Sequence, residues 1–158
     1  MKPEVIEINT IARVAALIDG DNVSPAYADR IMVRANTLGR VDIARVYMNA
    51  NRNSDWLSAP GFRLVHSGTG KNATDVLLCI GTMELALVVG IDKFILAASD
   101  GDYKHLATRL RERGHHVLGM GESKTPEPFR AACSAFRDIE SRSSRVRIAT
   151  NLTVRFAT

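Results

Sequence analysis

Cysteine is scarce in this chain: its 158 residues include only Cys79 and Cys133. Two thiols in apolar, helical surroundings make no disulfide framework, and no Cys-x-x-Cys spacing offers a zinc site. Long apolar runs are missing too. No stretch reaches the ~18 uninterrupted apolar residues of a membrane-spanning helix. The opening residues, MKPEVIEINTIARV, carry acids and lack the continuous apolar segment of a secretory signal. Internal repeats and low-complexity segments are also lacking. Together these absences predict one cytoplasmic domain with reduced thiols and no membrane partner. A hydrophobic content of 46% and a charged content of 24% are ordinary for a chain that buries a core.

Charge is the first positive feature. The net charge is +4 and the pI about 9.4, which suits either an unremarkable basic surface or a polyanionic partner such as nucleic acid. Beyond Glu140 the chain carries Arg142, Arg145, Arg147 and Arg155 with no acid among them. Residues 141–158 therefore read as a basic tail on a 1–140 domain, either solvated or tracking phosphates.

Patterning gives alternating strands and helices. Val14 to Ile18 is a buried strand, and Ser24-Pro25 opens a helix over 25–38 that Gly39 ends. Val41 to Met48 and Phe62 to Val65 are the next strands. Asp75 to Val89 is apolar nearly all round and predicts a deeply buried helix. Phe94 to Ala98 and His116 to Met120 are further strands, with an amphipathic helix from Tyr103 to Arg113 between them. Pro128 to Ala135 predicts a short helix before a possible edge strand at FRDI. The segment RVRIATNLTVRF is strand-like and finds no place in the pattern. Such alternation implies an α/β fold with a mostly parallel sheet covered on both faces. All the strand-leaving loops then share one edge, the carboxyl edge, where open sheets bind ligands.

Acids collect at that edge. Asp19 follows the first strand, Asp21 stands beside it, Asp75 opens the apolar helix, and Asp100 and Asp102 follow the fourth strand. Singly, each has an ordinary use: a turn aspartate, a helix cap, or the closing acid of a capping box with Asn72. Jointly they conflict. Two charges ~4 Å apart repel by about 1 kcal/mol in water and about 4 kcal/mol at an effective dielectric near 20. Either some of these groups hold protons or a cation sits among them. An all-oxygen set suits Mg²⁺ or Mn²⁺, which polarises phosphate and makes hydroxide from water.

Three motifs, LIDGDN (Leu17 to Asn22), KNATDVLL (Lys71 to Leu78) and ASDGDY (Ala98 to Tyr103), resemble in order and spacing the signature of the NYN domain family. That family includes the LabA-like (DUF88) proteins and is related to PIN-domain nucleases. The resemblance spans roughly Ala12 to Glu140. It implies a PIN-like three-layer α/β/α sandwich and metal-dependent cleavage of RNA, with Asp19, Asp75, Asp100 and Asp102 as the catalytic, Mg²⁺- or Mn²⁺-binding acids. Asn22 and Ser99 match polar motif positions, Lys71 lies where a cation meets a phosphate, and Asp21 stands behind the ligands. Arg52, Trp56 and Tyr103 in or beside the edge loops are candidates for contacting phosphates and bases. A core or loop anchor is the commoner use of a residue such as Trp56, and an ordinary surface position that of His105, with Lys124 and Arg130 as similar low-grade phosphate candidates. The oligomeric state stays open, a homodimer among the options.

Other readings fit less well. Asp19-x-Asp21-x-Val23 matches dehalogenase-like phosphatases, whose first Asp is a nucleophile. That fold needs a longer chain, and Leu106 stands where its second acid belongs. An EF-hand lacks its Gly and closing Glu here, and a Toprim site lacks a glutamate after the first strand. A PIN-like regulator that binds RNA or protein without cutting remains an alternative.

Overall fold

The computed structural model describes residues 10–49 and 54–140. The strand-like RVRIATNLTVRF and the basic tail lie outside them. Six strands form one sheet in the order β3-β2-β1-β4-β5-β6, and every pairing is parallel. They are β1 (Arg13–Asp19), β2 (Arg40–Met48), β3 (Arg63–His66), β4 (Lys93–Ala97), β5 (His116–Gly121) and β6 (Ala135–Asp138). Four helices connect them: α1 (Ala28–Leu38), α2 (Ala73–Glu84), α3 (Lys104–Glu112) and α4 (Glu127–Ala132).

Strand periodicity of two sorts the core into two layers. On β1, Ala15 and Leu17 face the cluster built with Leu78, Leu85, Leu106, Leu110 and Phe129, beneath α2, α3 and α4. Val14, Ala16 and Ile18 face the other cluster, where Ile31 and Ala35 of α1 and Trp56 close the sheet. Both faces of β1 are dry, so its sequence is apolar at every position from Val14 to Ile18. The result is the three-layer sandwich that the alternation implies.

Most boundaries move by a residue or two, but the helix read over Pro128 to Ala135 is Glu127–Ala132, and Ala135 opens β6. The helix read over 25–38 divides into a one-turn 3-10 helix, Pro25–Tyr27, capped by the Ser24 hydroxyl, followed by α1. FRDI is indeed an edge strand, shifted by one residue to Ala135–Asp138 and parallel to β5.

One expectation is corrected. The segment 75–89 is not buried all round: α2 passes into a π turn at Leu85–Val89, and Val76, Ile80, Leu87 and Val88 are more than half exposed. Only the face carrying Leu78, Thr82 and Leu85 meets the sheet. That face sits close. A Cβ on Gly81 would collide with the Tyr47 hydroxyl of β2, so glycine alone permits α2 to approach the sheet here.

The strand order reverses between β1 and β4, with Ile18 opposite Ala97. The chains leaving these two strands diverge to opposite sides. The crevice between them, at the carboxyl edge, is where such sheets take ligands. Asp19 ends β1, and Asp100 lies three residues beyond β4.

Candidate functional site

A cleft of about 270 Å³ opens at this crevice, lined by Asp21, Asn22, Asn49, Thr74, Asp75 and Asp100 together with the small-residue loop before α2. Its chemistry is built from the three motif segments.

Asp19 is fully buried at the end of β1. Its Oδ2 accepts from the Asn22 side-chain amide at 2.9 Å and its Oδ1 from the Asp21 backbone N–H at 3.2 Å. Burial pushes its carboxyl up from the ordinary 3.8 to about 6, against the Asn22 hydrogen bond, and repulsion from Asp75 and Asp21 adds to the rise. Asn22 thus holds the Asp19 carboxyl in place.

Asp21 ties three segments together. It accepts from the Asn49 N–H after β2 at 3.1 Å and from the Thr74 hydroxyl of α2 at 2.6 Å. The Thr74 proton is committed to Asp21, so Ser67 donates the 2.7 Å bond between the two hydroxyls. Asp21 therefore braces the cleft while itself lining it, in front of the fully buried Asp19. Neither Ser67 nor Thr74 was distinguishable beforehand from the other small polar residues of its loop.

The capping-box reading of Asp75 does not hold. Asn72 adopts a left-handed conformation (φ 60°) and makes no side-chain cap. Asp75 instead accepts a 3.0 Å hydrogen bond from the hydroxyl of Tyr103. Burial raises the Asp75 carboxyl. The Tyr103 bond opposes the rise, and repulsion from Asp100, Asp102 and Asp21 strengthens it. Tyr103 is itself buried against Phe129, so it cannot stack on a base and serves by positioning Asp75. Its place, three residues after Asp100, was the available signal.

Asp100 caps the 3-10 turn Gly101–Tyr103, its Oδ1 accepting from the Asp102 N–H at 2.9 Å. Asp102 is exposed and does not line the cleft. Lys71 is exposed just before α2, also outside the lining. Ser99 borders an adjoining cavity of about 380 Å³ that shares Asn22 and Asp100 with the cleft, and its Oγ is buried without a partner. Trp56 corrects the sequence expectation: it is 1% exposed, its indole N–H donates to the Val23 carbonyl at 2.9 Å, and Phe62 packs edge-on against it. Such a ring anchors the core and offers no stacking surface. Arg52 lies outside the described residues.

Among the described residues, none of these five acids pairs with a lysine or arginine. The amino edge differs. There Asp42 meets Arg13 at 2.6 Å and Arg40 at 2.8 Å, and their hydrogen bonds hold its carboxyl down to about 2. Neutralisation is thus available in this fold but is not used at the cleft.

Among the described residues, no three of His, Cys, Asp or Glu converge closely enough to hold an ion between them. The expected cluster is therefore electrostatic rather than a closed cage. Each carboxylate is held by its own donors: Asn22 for Asp19, Thr74 for Asp21, Tyr103 for Asp75 and the Asp102 amide for Asp100. The donor chemistry still fits a hydrated divalent ion. Mg²⁺ keeps several waters and uses one or two carboxylates plus substrate phosphates, rather than an all-protein cage.

The chain resembles the crystal structure of a protein of unknown function from Vibrio parahaemolyticus, with a TM-score of 0.70 and 20% identity over 89% of this chain and 98% of that one. At that identity the fold is what the two share. No curated protein matches the sequence. The family model of the NYN domain matches residues 13–140, nearly all of the described sandwich and all three acidic motifs. The chain belongs to the NYN domain family, within the PIN-like nuclease superfamily.

Proposed function

We propose that this protein is a metal-dependent ribonuclease that hydrolyses RNA phosphodiesters at the carboxyl-edge cleft. One observation carries the reading: acids from three distant segments line or underlie one crevice, with no basic partner among the described residues, at the topological switch point of a nuclease-family fold. Asp19, Asp75 and Asp100 would hold Mg²⁺ or Mn²⁺, partly through water, with Asp102 contributing charge from the rim. When bound, the ion polarises the phosphodiester and acidifies a water.

The protein's own groups set the stage. Asn22 fixes the Asp19 carboxylate, and Tyr103 keeps Asp75 oriented and ionised. Asp21, Thr74 and Ser67 lock the loops around them. Ser99, with an unpaired buried hydroxyl beside Asp100, is a substrate contact in this reading. Lys71 at the rim meets phosphate, and Arg52 is a second phosphate contact in this reading. The order of the motifs supports a LabA-like reading of the chain.

Labelled single-stranded RNA incubated with Mn²⁺ or with EDTA tests the proposal. Cleavage appears only with Mn²⁺ and disappears in a folded Asp100→Asn variant. Tight RNA binding with no metal-dependent cleavage would support the alternative, a PIN-like regulator. That alternative draws on the same geometry, in which no three acids close on one point.

Tyr103→Phe removes the donor to Asp75 and leaves the ring in place. The loss of activity is about 10- to 100-fold, the usual cost of losing a partner of a metal-binding acid. The acid limb of the pH–rate profile also moves to higher pH, because the lost bond was holding the Asp75 carboxyl down. An unchanged profile would show that Tyr103 is merely structural.

A further inference from the structure

A basic groove leads away from the cleft, between α3 and α4. Its volume is about 460 Å³; Lys104, His105 and Arg109 form its α3 wall, and Pro128 and Ala131 face them from α4. The charged wall follows from helical spacing. His105 and Arg109 are four apart and share a face, and Lys104 lines the groove from the adjoining face of the first turn. The single acid on that wall, Glu112, meets Arg109 at 3.7 Å, with both side chains about two-thirds exposed. Such a pair is worth little and leaves Arg109 available to a stronger anion.

The groove begins beside the candidate active site along the chain. Lys104 directly follows the turn Gly101–Tyr103 that Asp100 caps. The Ser99 cavity bridges the interval: it shares Asp100 with the acidic cleft and reaches Pro126, two residues before Pro128 of the groove. Gly101 lies close enough to Pro126 that an added Cβ would touch that ring at 3.4 Å. The Ser99 cavity thus joins the acids to the turn from which α3 starts and to the segment that leads into α4.

We infer that this groove is the path of the substrate strand beyond the cut: Lys104 and Arg109 meet successive phosphates, and nucleosides lie against the apolar α4 wall. The inference rests on the nuclease reading and adds where the strand runs. Charge chooses the occupant. An acidic cleft with a cationic groove beside it suits a polyanion whose one reacting phosphate receives a metal and whose other phosphates need protein cations. A single strand fits better than a duplex, because one wall is cationic and the other apolar.

The test is salt-dependent binding of a fluorescent single-stranded RNA in EDTA, with Asp100→Asn as the parent so that nothing is cut. Adding Lys104→Gln and Arg109→Gln lowers affinity about tenfold at low salt and reduces the slope of log K against log salt by about 1.4, or 0.7 per lost phosphate contact. A charge-matched control, Arg63→Gln with Lys93→Gln, leaves the slope within about half of that change. An unchanged slope in the groove variant, or an equal loss in the control, overturns the path while leaving metal-dependent cleavage by the wild type intact. A parent that binds no RNA at any salt, beside a wild type that does not cut, removes the nuclease reading and the path together.

Discussion

Asp19→Asn stabilises the metal-free protein at neutral pH and abolishes cleavage. The two effects have one cause. A folded-state carboxyl raised from 3.8 to about 6 means that ionised Asp19 opposes folding. Between those values the native state holds a proton that the unfolded state has released. Stability therefore falls as pH rises through this window, and the penalty is complete above it. About two pKa units correspond to roughly 3 kcal/mol. Asparagine keeps one oxygen for the donors from Asn22 and Asp21, and losing one hydrogen bond returns about 1 kcal/mol. The expected net gain is about 1–2 kcal/mol, or about 2–8 °C in Tm for a chain of this size. Below pH 4 the advantage vanishes, because wild-type Asp19 is then protonated in both states. Cleavage falls by more than the ~100-fold typical of outer partners of a metal. Thermal melts from pH 3.5 to 8 check the sign. A variant destabilised across the whole range would make Asp19 a structural residue.

Divalent ions reverse the same penalty. Mn²⁺ or Mg²⁺ bound only to the native state stabilises it by about 2.7 kcal/mol at a hundred times its dissociation constant. An ion that displaces the Asp19 proton binds about tenfold more weakly for each pH unit below about 6. Titration calorimetry with Mn²⁺ at pH 5 and pH 7.5 should show this difference, and Asp19→Asn and Asp100→Asn should both remove it. Calcium-like binding that ignores pH and both substitutions would place the ion elsewhere on the surface.

Much of this was legible in the chain itself. Apolar runs ending in Asp marked β1 and β4 and so located the switch point, because strand length and termination are written locally. The motif acids fell at one edge because parallel connectivity leaves no other arrangement. What stayed hidden depended on contacts across the fold. Val76 and Ile80 look like core residues, and only the seating of α2 on one face through Gly81 shows that they are exposed. Trp56 lies in a polar loop but reaches back to Val23, a bond between residues 33 apart. Tyr103 bonds Asp75 across 28 residues, and Thr74 bonds Asp21 across 53, so neither partner was readable from periodicity. The capping box failed at Asn72, whose left-handed backbone turns its side chain away from a role that spacing alone allowed.

The most direct measurement is the anomalous difference density of a crystal soaked in Mn²⁺. A peak in the crevice between β1 and β4, within direct or one-water reach of Asp19, Asp75 and Asp100, is the expected result. Density confined to other surfaces at millimolar ion, with the crevice filled by ordered water alone, would contradict the idea that these acids are gathered to hold a metal.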